Sequence, residues 1–167
     1  MKTSRIVRWA AVLVCLAQLA PASTLYFGGK TSIFRHDLSA VPSFVTVIYS
    51  FAPTNDYPYA LEADAASGKV FWGKGGGIWR MNLGGTVPQL IIPGGVVRAL
   101  DVAASNIYFF MHGNANIRRA DITGSNTQTL INLPANAFVY GIAVDALHAK
   151  LYWTQWGGPM ADRGIHQ

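Results

Sequence analysis

GIAVDALHAKLYWTQW, residues 141–156, is the segment that decides the fold of this chain. Its first half alternates apolar and small residues as far as Asp145, and a later run, 150–154, is rich in aromatic and β-branched residues. The two runs are joined by a short connection, so the segment predicts a strand, a tight turn and a second strand. Because a lone hairpin is at best marginally stable in water, further copies are needed to bury its apolar face.

Earlier copies of this hairpin start from an aspartate that is followed seven positions later by an aromatic residue. The pairs are Asp64 with Phe71, Asp101 with Tyr108 and Asp145 with Tyr152, and a partial copy has Tyr26. The aromatic positions lie 37 to 45 residues apart, which is the period of a four-stranded propeller blade. The prediction is an all-β fold of four-stranded antiparallel blades, a β-propeller present as an incomplete arc of about three to four blades.

Residues 1–22 have the organisation of a signal peptide. Lys2, Arg5 and Arg8 form a basic start, 9–20 is an apolar run broken only by Gln18, and small residues lead up to Ala22. Cleavage is predicted between Ala22 and Ser23, which makes the protein secreted or periplasmic. The alternative is an uncleaved membrane anchor, but the run is shorter than the ~20 apolar residues that span a bilayer.

Removal of this segment changes the charge balance. It contains three of the 13 basic residues, so the remaining chain has 10 basic and 8 acidic residues. This small excess gives no reason to expect nucleic acid or a membrane as a partner. Cys15 leaves with the segment, which excludes thiol catalysis and disulfides in the mature chain.

The repeat predicts one domain, 23–167, with units at about 24–50, 58–92, 96–132 and 139–167, the last of them truncated. The first unit is predicted to lack its leading strand, which a C-terminal segment outside this sequence would supply. Because so short an array does not close a ring, the chain is expected to be a fragment of a longer reading frame, or a truncated product. Self-association through the open blade edges is expected for the same reason.

Four runs in register carry a resemblance to a known family. They are LYFGGKTSIFRHDL (25–38), KVFWGKGGGIWRMNLGG (69–85), NIYFFMHGNANIRRADITGSN (106–126) and KLYWTQWGG (150–158). These runs resemble the class B, or YWTD, repeats of the low-density-lipoprotein receptor, and the resemblance implies blades of a six-bladed propeller. The chain departs from that family at its motif aspartate, where Gly29, Lys74, Met111 and Gln155 stand, and its predicted mature part has no cysteines to build disulfide-rich flanking modules.

The binding surface is predicted on one face of the blades. Since successive strands reverse direction, the loops after second and fourth strands lie on one face, and these loops are the longer and more varied ones. A ligand is expected there, near Tyr57, Lys74, His112 and Trp156. The expected ligand is a protein or a glycan, with no cofactor.

Three aspartates at strand ends could act as metal ligands. Asp64, Asp101 and Asp145 each precede a short turn, where an aspartate accepts hydrogen bonds from the next backbone amides, so a turn-capping role is predicted. The four histidines have no metal-ligand spacing, and no metal site is predicted.

Arginines recur on the third strand of each unit, at Arg35, Arg80 and Arg119. Their repetition at one structural position favours hydrogen bonds between blades over ligand recognition.

The sequence favours a non-catalytic, exported repeat protein that binds a ligand through its loop face. One alternative is a calcium-dependent lactone hydrolase of the gluconolactonase and regucalcin kind, which would need several acidic and amide side chains on the first strands. Glu62 is the acid suitably placed, and the equivalent region of the next unit has Arg98, so the calcium site would be poor. A second alternative is a truncated fragment without independent function.

Overall fold

The computed structural model describes residues 14–17, 24–39, 42, 44–52, 57–158 and 164–167. These residues form strands and no helix, and the strands make four antiparallel sheets in sequence order. Blade 1 is β1 (Val14–Ala17), β2 (Thr24–Gly28), β3 (Ser32–Asp37) and β4 (Val45–Ser50). Blade 2 is β5 (Ala60–Asp64), β6 (Lys69–Lys74), β7 (Gly77–Asn82) and β8 (Gln89–Pro93). Blade 3 is β9 (Val97–Ala103), β10 (Asn106–Met111), β11 (Asn116–Asp121) and β12 (Gln128–Asn132). Blade 4 is β13 (Phe138–Asp145), β14 (Lys150–Trp156) and β15 (Gly164–His166). The predicted fold class, an incomplete arc of antiparallel blades, is confirmed.

Consecutive blades are held together by three apolar clusters, each built from two neighbouring sheets. Trp72 of blade 2 packs against Tyr26 and Ile33 of blade 1, while Phe71, one position earlier, packs against Val97 of blade 3. A third cluster joins blades 3 and 4. Because adjacent strand residues point to opposite faces, each inner blade buries one face against the blade before it and the other against the blade after it.

Hydrogen bonds between blades repeat the same pattern. The Tyr26 hydroxyl donates to the carbonyl oxygen of Leu83 at 3.5 Å, and Arg80 Nη1 donates to that of Ile122 at 3.2 Å. Leu83 and Ile122 both follow the third strand of the next blade. The predicted interblade role is therefore confirmed for Arg80, whereas Arg119 bonds Gln128 of its own blade, at 3.2 Å.

A bulge in the fourth strand receives a glycine of the next blade. The pairing of β4 with β3 skips Ile48, and the pairing of β8 with β7 skips Ile91. Gly85 and Gly124 lie against the carbonyl groups of these two bulged residues, with positive φ values of 86° and 92°. A side chain there would collide with backbone, so only glycine fits both the conformation and the space.

The prediction that the first blade lacks a leading strand is wrong for the described chain. Val14–Ala17 pairs antiparallel with β2, with Val14 opposite Phe27 and Ala17 opposite Thr24. An unpaired edge of β2 would leave its backbone groups without partners, and a β-prone apolar segment nearby satisfies them. This segment lies inside the predicted signal peptide, so cleavage at the predicted site would return β2 to the edge of the sheet.

Among the described residues, no helix is long and apolar enough to cross a membrane.

Candidate ligand-binding face

The loops after second and fourth strands share one edge of the arc, which we call the loop face. Its described parts include 29–31, 51–52, 57–59, 75–76, 94–96, 112–115, 133–137 and 157–158. The turns after first and third strands form the opposite face. The first strands of blades 2, 3 and 4 lie side by side, with β9 in contact with both β5 and β13. Residues at the starts of these strands therefore meet on the loop face.

Arg98 lies at the centre of this meeting point. Its Cζ is 4.1 Å from the ring centroid of Tyr59 and 5.7 Å from that of Phe138. Tyr59 immediately precedes β5 and Phe138 opens β13, so one blade on each side contributes a ring. Aromatic faces attract a guanidinium group, and the attraction is stronger where water is partly excluded.

Further rings extend the cluster on both sides. Tyr57 lies 4.9 Å from Tyr59 between ring centroids, Tyr140 lies 4.7 Å from Phe138, and His112 lies 5.1 Å from Phe138. Tyr140 is 63% exposed, so its ring faces solvent. These residues, Tyr57, Tyr59, Arg98, His112, Phe138 and Tyr140, are called the Arg98 cluster below.

β-Bulges direct two of these side chains onto the loop face. In the pairing of β9 with β10, Val97 is opposite Met111 and Ala99 is opposite Phe110, so Arg98 is an extra residue. The pairing of β13 with β14 skips Tyr140 in the same way. A bulge turns its residue out of the regular alternation, which places Arg98 and Tyr140 on the loop face.

A cavity of about 270 Å³ adjoins the cluster. Its lining residues are His112, Gly113, Asn114, Ala115, Asn136, Ala137 and Phe138. Asn114 and Asn136 contribute amide groups that can donate and accept hydrogen bonds, while Phe138 and His112 belong to both the cavity and the cluster. Aromatic rings with a few polar groups are the usual lining of a ligand site.

Arg98 has an unusual environment for a cation. Its Nε atom is buried and has no hydrogen-bond partner among the described residues. Leaving a buried donor without an acceptor is unfavourable, so this Nε is a candidate to donate to a bound acceptor.

The four residues predicted to bind ligand all lie on the loop face, but the structure brings only two of them into the cluster. Tyr57 and His112 belong to it. Lys74 lies on the β6–β7 hairpin with its Nζ 5.2 Å from the Trp79 ring centroid. Trp156 ends β14 opposite Phe138 and is 60% exposed.

The prediction of binding residues missed Tyr59, Phe138 and Tyr140, and it treated Arg98 only as a residue unfit for a calcium site. A signal was present for three of these residues. Tyr57-Pro58-Tyr59 and Phe138-Val139-Tyr140 are two aromatic-x-aromatic motifs at equivalent positions, where a first strand begins.

Asp64 and Asp145 have the geometry of turn caps. Asp64 accepts hydrogen bonds from the amides of Ala66 and Ser67, at 3.2 and 3.1 Å. Asp145 accepts from the amides two and three residues on, both at 3.1 Å, and contacts His148 Nδ1 at 2.6 Å. The side-chain hydrogen bond with His148 holds the pKa of the Asp145 carboxyl below its ordinary value, and the amide of His148 adds to this effect.

The turn-capping prediction does not hold for Asp101. Its carboxylate accepts from the amide of Val102 at 2.8 Å and from that of Val144, in blade 4, at 2.6 Å. Burial raises the pKa of the Asp101 carboxyl, although the two hydrogen bonds from Val144 and Val102 oppose this. Asp101 therefore ties blade 3 to blade 4 instead of closing its own turn.

The described residues contain no group of three or more His, Cys, Asp or Glu side chains that could hold a metal ion. Glu62 lies on β5 opposite Phe71, and the neighbouring first strand has Arg98 near its start. Calcium sites need several oxygen ligands, so the donor set around these described strands does not fit calcium.

No protein-family profile matches the chain. Solved structures with a similar fold include a chain of a nidogen/laminin complex, at 22% sequence identity and a TM-score of 0.68. That match covers 86% of this chain and 56% of the other, so this chain spans little more than half of that relative's length.

Two further structures have a similar fold. The computationally designed Ika4 protein has a TM-score of 0.59 at 14% identity, covering 98% of this chain and 93% of that one. The extracellular domain of a one-component system protein from B. thetaiotaomicron has a TM-score of 0.62 at 12% identity, covering 90% of this chain and 20% of that one. These likenesses, together with the four stacked sheets, define the class of this protein as a β-propeller arc.

Proposed function

We propose that this protein is an exported, non-catalytic β-propeller segment of the YWTD-like type that binds a partner protein through its loop face. The observation that carries the proposal is the Arg98 cluster, in which rings from blades 2 and 4 surround an arginine of blade 3. Arginine and tyrosine are enriched among the residues that dominate protein–protein affinity. Rigid strands on both sides hold the cluster in place, so binding would require little reordering.

Three further observations support the proposal. The first 22 residues have the organisation of a signal peptide, which supports the export part of the proposal. One structural neighbour is an extracellular domain, and another comes from a complex between two proteins. The family resemblance carried by the four sequence runs belongs to the repeats of a cell-surface receptor.

The calcium-dependent lactonase alternative is less well supported by the geometry. Its chemistry needs a cluster of oxygen ligands near the first strands. Among the described residues, Glu62 does not belong to any group of three or more His, Cys, Asp or Glu side chains that could hold a metal ion. The positive charge of Arg98 at the same end of the sheets would also repel a cation.

Selection from displayed ligands tests the proposal. The full chain would be used to select binders from a phage-displayed peptide library and would be applied in parallel to a glycan array. We expect enriched peptides whose binding is lost in Tyr140→Ser, because this exposed ring lies in the Arg98 cluster. The matched control is Leu147→Ser, which alters an exposed apolar residue, 87% accessible, on the opposite face.

Both variants change a solvent-exposed side chain, so their melting curves should remain close to that of the wild type. Peptide binding that survives Tyr140→Ser but is lost in Leu147→Ser would overturn the loop-face assignment. Binding to glycans with no enriched peptides would favour a glycan ligand in place of a protein. No binding in either format would favour a fragment without independent function.

A further inference from the structure

We propose that Arg98 and its aromatic neighbours form a carboxylate-binding site, which takes an aspartate or glutamate side chain of the partner protein. The inference rests on the proposed function, since it specifies the ligand chemistry of the same face. It depends on three features: the buried Nε of Arg98 that lacks a hydrogen-bond partner, the basic side chains on the same face, and the adjoining polar cavity.

The Nε of the guanidinium group lacks the hydrogen-bond partner that a buried donor normally has. Its Nε has no acceptor among the described residues, and the contacts to Tyr59 and Phe138 are with aromatic rings. A ring face attracts the positive charge but does not accept the in-plane N–H bonds that a guanidinium group forms best. A planar carboxylate accepts two parallel N–H groups from arginine and matches both its charge and its shape.

Basic side chains lie on the loop face of the arc. Among the described residues, the loop face carries Lys30, Lys74 and Arg98. The described aspartates lie toward the opposite face, where Lys69 and Lys150 also lie; they are Asp37, Asp64, Asp101, Asp121 and Asp145. The positive charges of the described loop face attract an acidic ligand, which favours its encounter with Arg98.

The adjoining cavity has room for the rest of an acidic residue and its main chain. It measures about 270 Å³ and shares Phe138 with the Arg98 cluster. Asn114 and Asn136 line it, and their amides can pair with the backbone of a bound peptide. One charged anchor in an aromatic setting with flanking amides is the arrangement expected for a side chain held at the centre of an interface.

Two paired peptide libraries on beads separate this inference from the proposed function. The peptides of both libraries have amidated C-termini. The acidic library has Asp and Glu at its variable positions, and the amide library has Asn and Gln at the same positions. Binding of the full chain would be compared with that of Arg98→Gln, Arg98→Lys and Lys30→Gln. Lys30 is an exposed cation on the same face, so its variant makes the same change in net charge away from the cluster.

We expect binders only from the acidic library, with affinity reduced at least roughly tenfold in Arg98→Gln and unchanged in Lys30→Gln. Arg98→Lys should recover part of the affinity, because it restores the charge but not the two-pronged N–H geometry. Sodium acetate should displace the peptides from the wild-type chain more effectively than sodium chloride at equal ionic strength. This competition test needs no variant, so it stands even if a substitution impairs folding.

Equal enrichment from both libraries, with binding sensitive to Tyr140→Ser but not to Arg98→Gln, would overturn the carboxylate site and leave the loop-face function intact. Equal losses in Arg98→Gln and Lys30→Gln would also overturn it, since general charge would then explain binding. If neither library yields binders, the proposed function fails and the carboxylate site fails with it.

Discussion

The contact between a turn glycine and the bulged strand of the preceding blade gives the sharpest test of how the blades are joined. In Gly124→Ala, the added Cβ would fall inside van der Waals contact of the Ile91 carbonyl group. Gly124 also has a φ of 92°, which L-residues rarely adopt. Gly76→Ala is the matched control, since Gly76 has a φ of 85° but no atom within 4 Å of an added Cβ.

The two variants share the cost of backbone strain and differ in the collision. Holding a non-glycine residue in the left-handed region costs about 1–2 kcal/mol. Forcing a methyl group into a well-packed contact adds about 1–3 kcal/mol. We therefore expect Gly76→Ala to lower the free energy of unfolding by about 1–2 kcal/mol, and Gly124→Ala to lower it by about 2–5 kcal/mol.

Urea unfolding followed by tryptophan fluorescence and by circular dichroism measures both values. The difference between the two variants, and not either value alone, reports the collision between blades 2 and 3. Gly85→Ala should behave like Gly124→Ala, because Gly85 meets the Ile48 carbonyl in the same way. Equal destabilisation by Gly76→Ala and Gly124→Ala would refute the idea that this glycine is required by the blade contact.

Three other predictions follow from single features. Burial raises the pKa of the Asp101 carboxyl in the folded chain above its value in the unfolded chain. The protonated carboxyl therefore contributes its full stability at pH values below the unfolded pKa, and this contribution is lost as pH rises through the folded pKa. Thermal melts between acidic and neutral pH should therefore show the stability of Asp101→Asn, relative to wild type, increasing with pH, and a flat difference would contradict the assignment. Mass spectrometry of the exported protein should find a new N-terminus at Ser23, and an intact Met1 would rule out cleavage. The full chain should self-associate, because Ile165 is 80% exposed at the strand position where Ile78 and Ile117 are fully buried between blades. Sedimentation velocity should show smaller species for Ile165→Lys than for the wild type. An unchanged distribution would exclude this face as the site of self-association.

The fold was predictable because the sequence pattern that specifies each hairpin is local and is repeated along the chain. A hairpin needs only a period-two pattern and a turn, both of which lie within about twenty residues, and repetition in register distinguishes a real module from a chance match. The opposite-face turns at Asp64 and Asp145 were predictable for the same reason, since each cap involves amides two and three positions away.

Contacts between blades were not predictable in this way. Asp101 has the same sequence context as the other two aspartates, but its carboxylate reaches Val144 in the next blade. The pairing of Val14–Ala17 with β2 was not predicted, because an apolar targeting segment and an edge strand have the same composition.

The chain's sequence alone determined the module, its period, its exposed loop face and the types of residue on that face. Only the tertiary structure decided that Tyr59, Arg98 and Phe138, each about 40 positions from the next, form one site. The physical reason is that strand pairing is set by neighbouring residues, whereas the meeting of three blades depends on the twist between sheets and on bulges that turn single side chains. Neither of these leaves a periodic signal in the sequence.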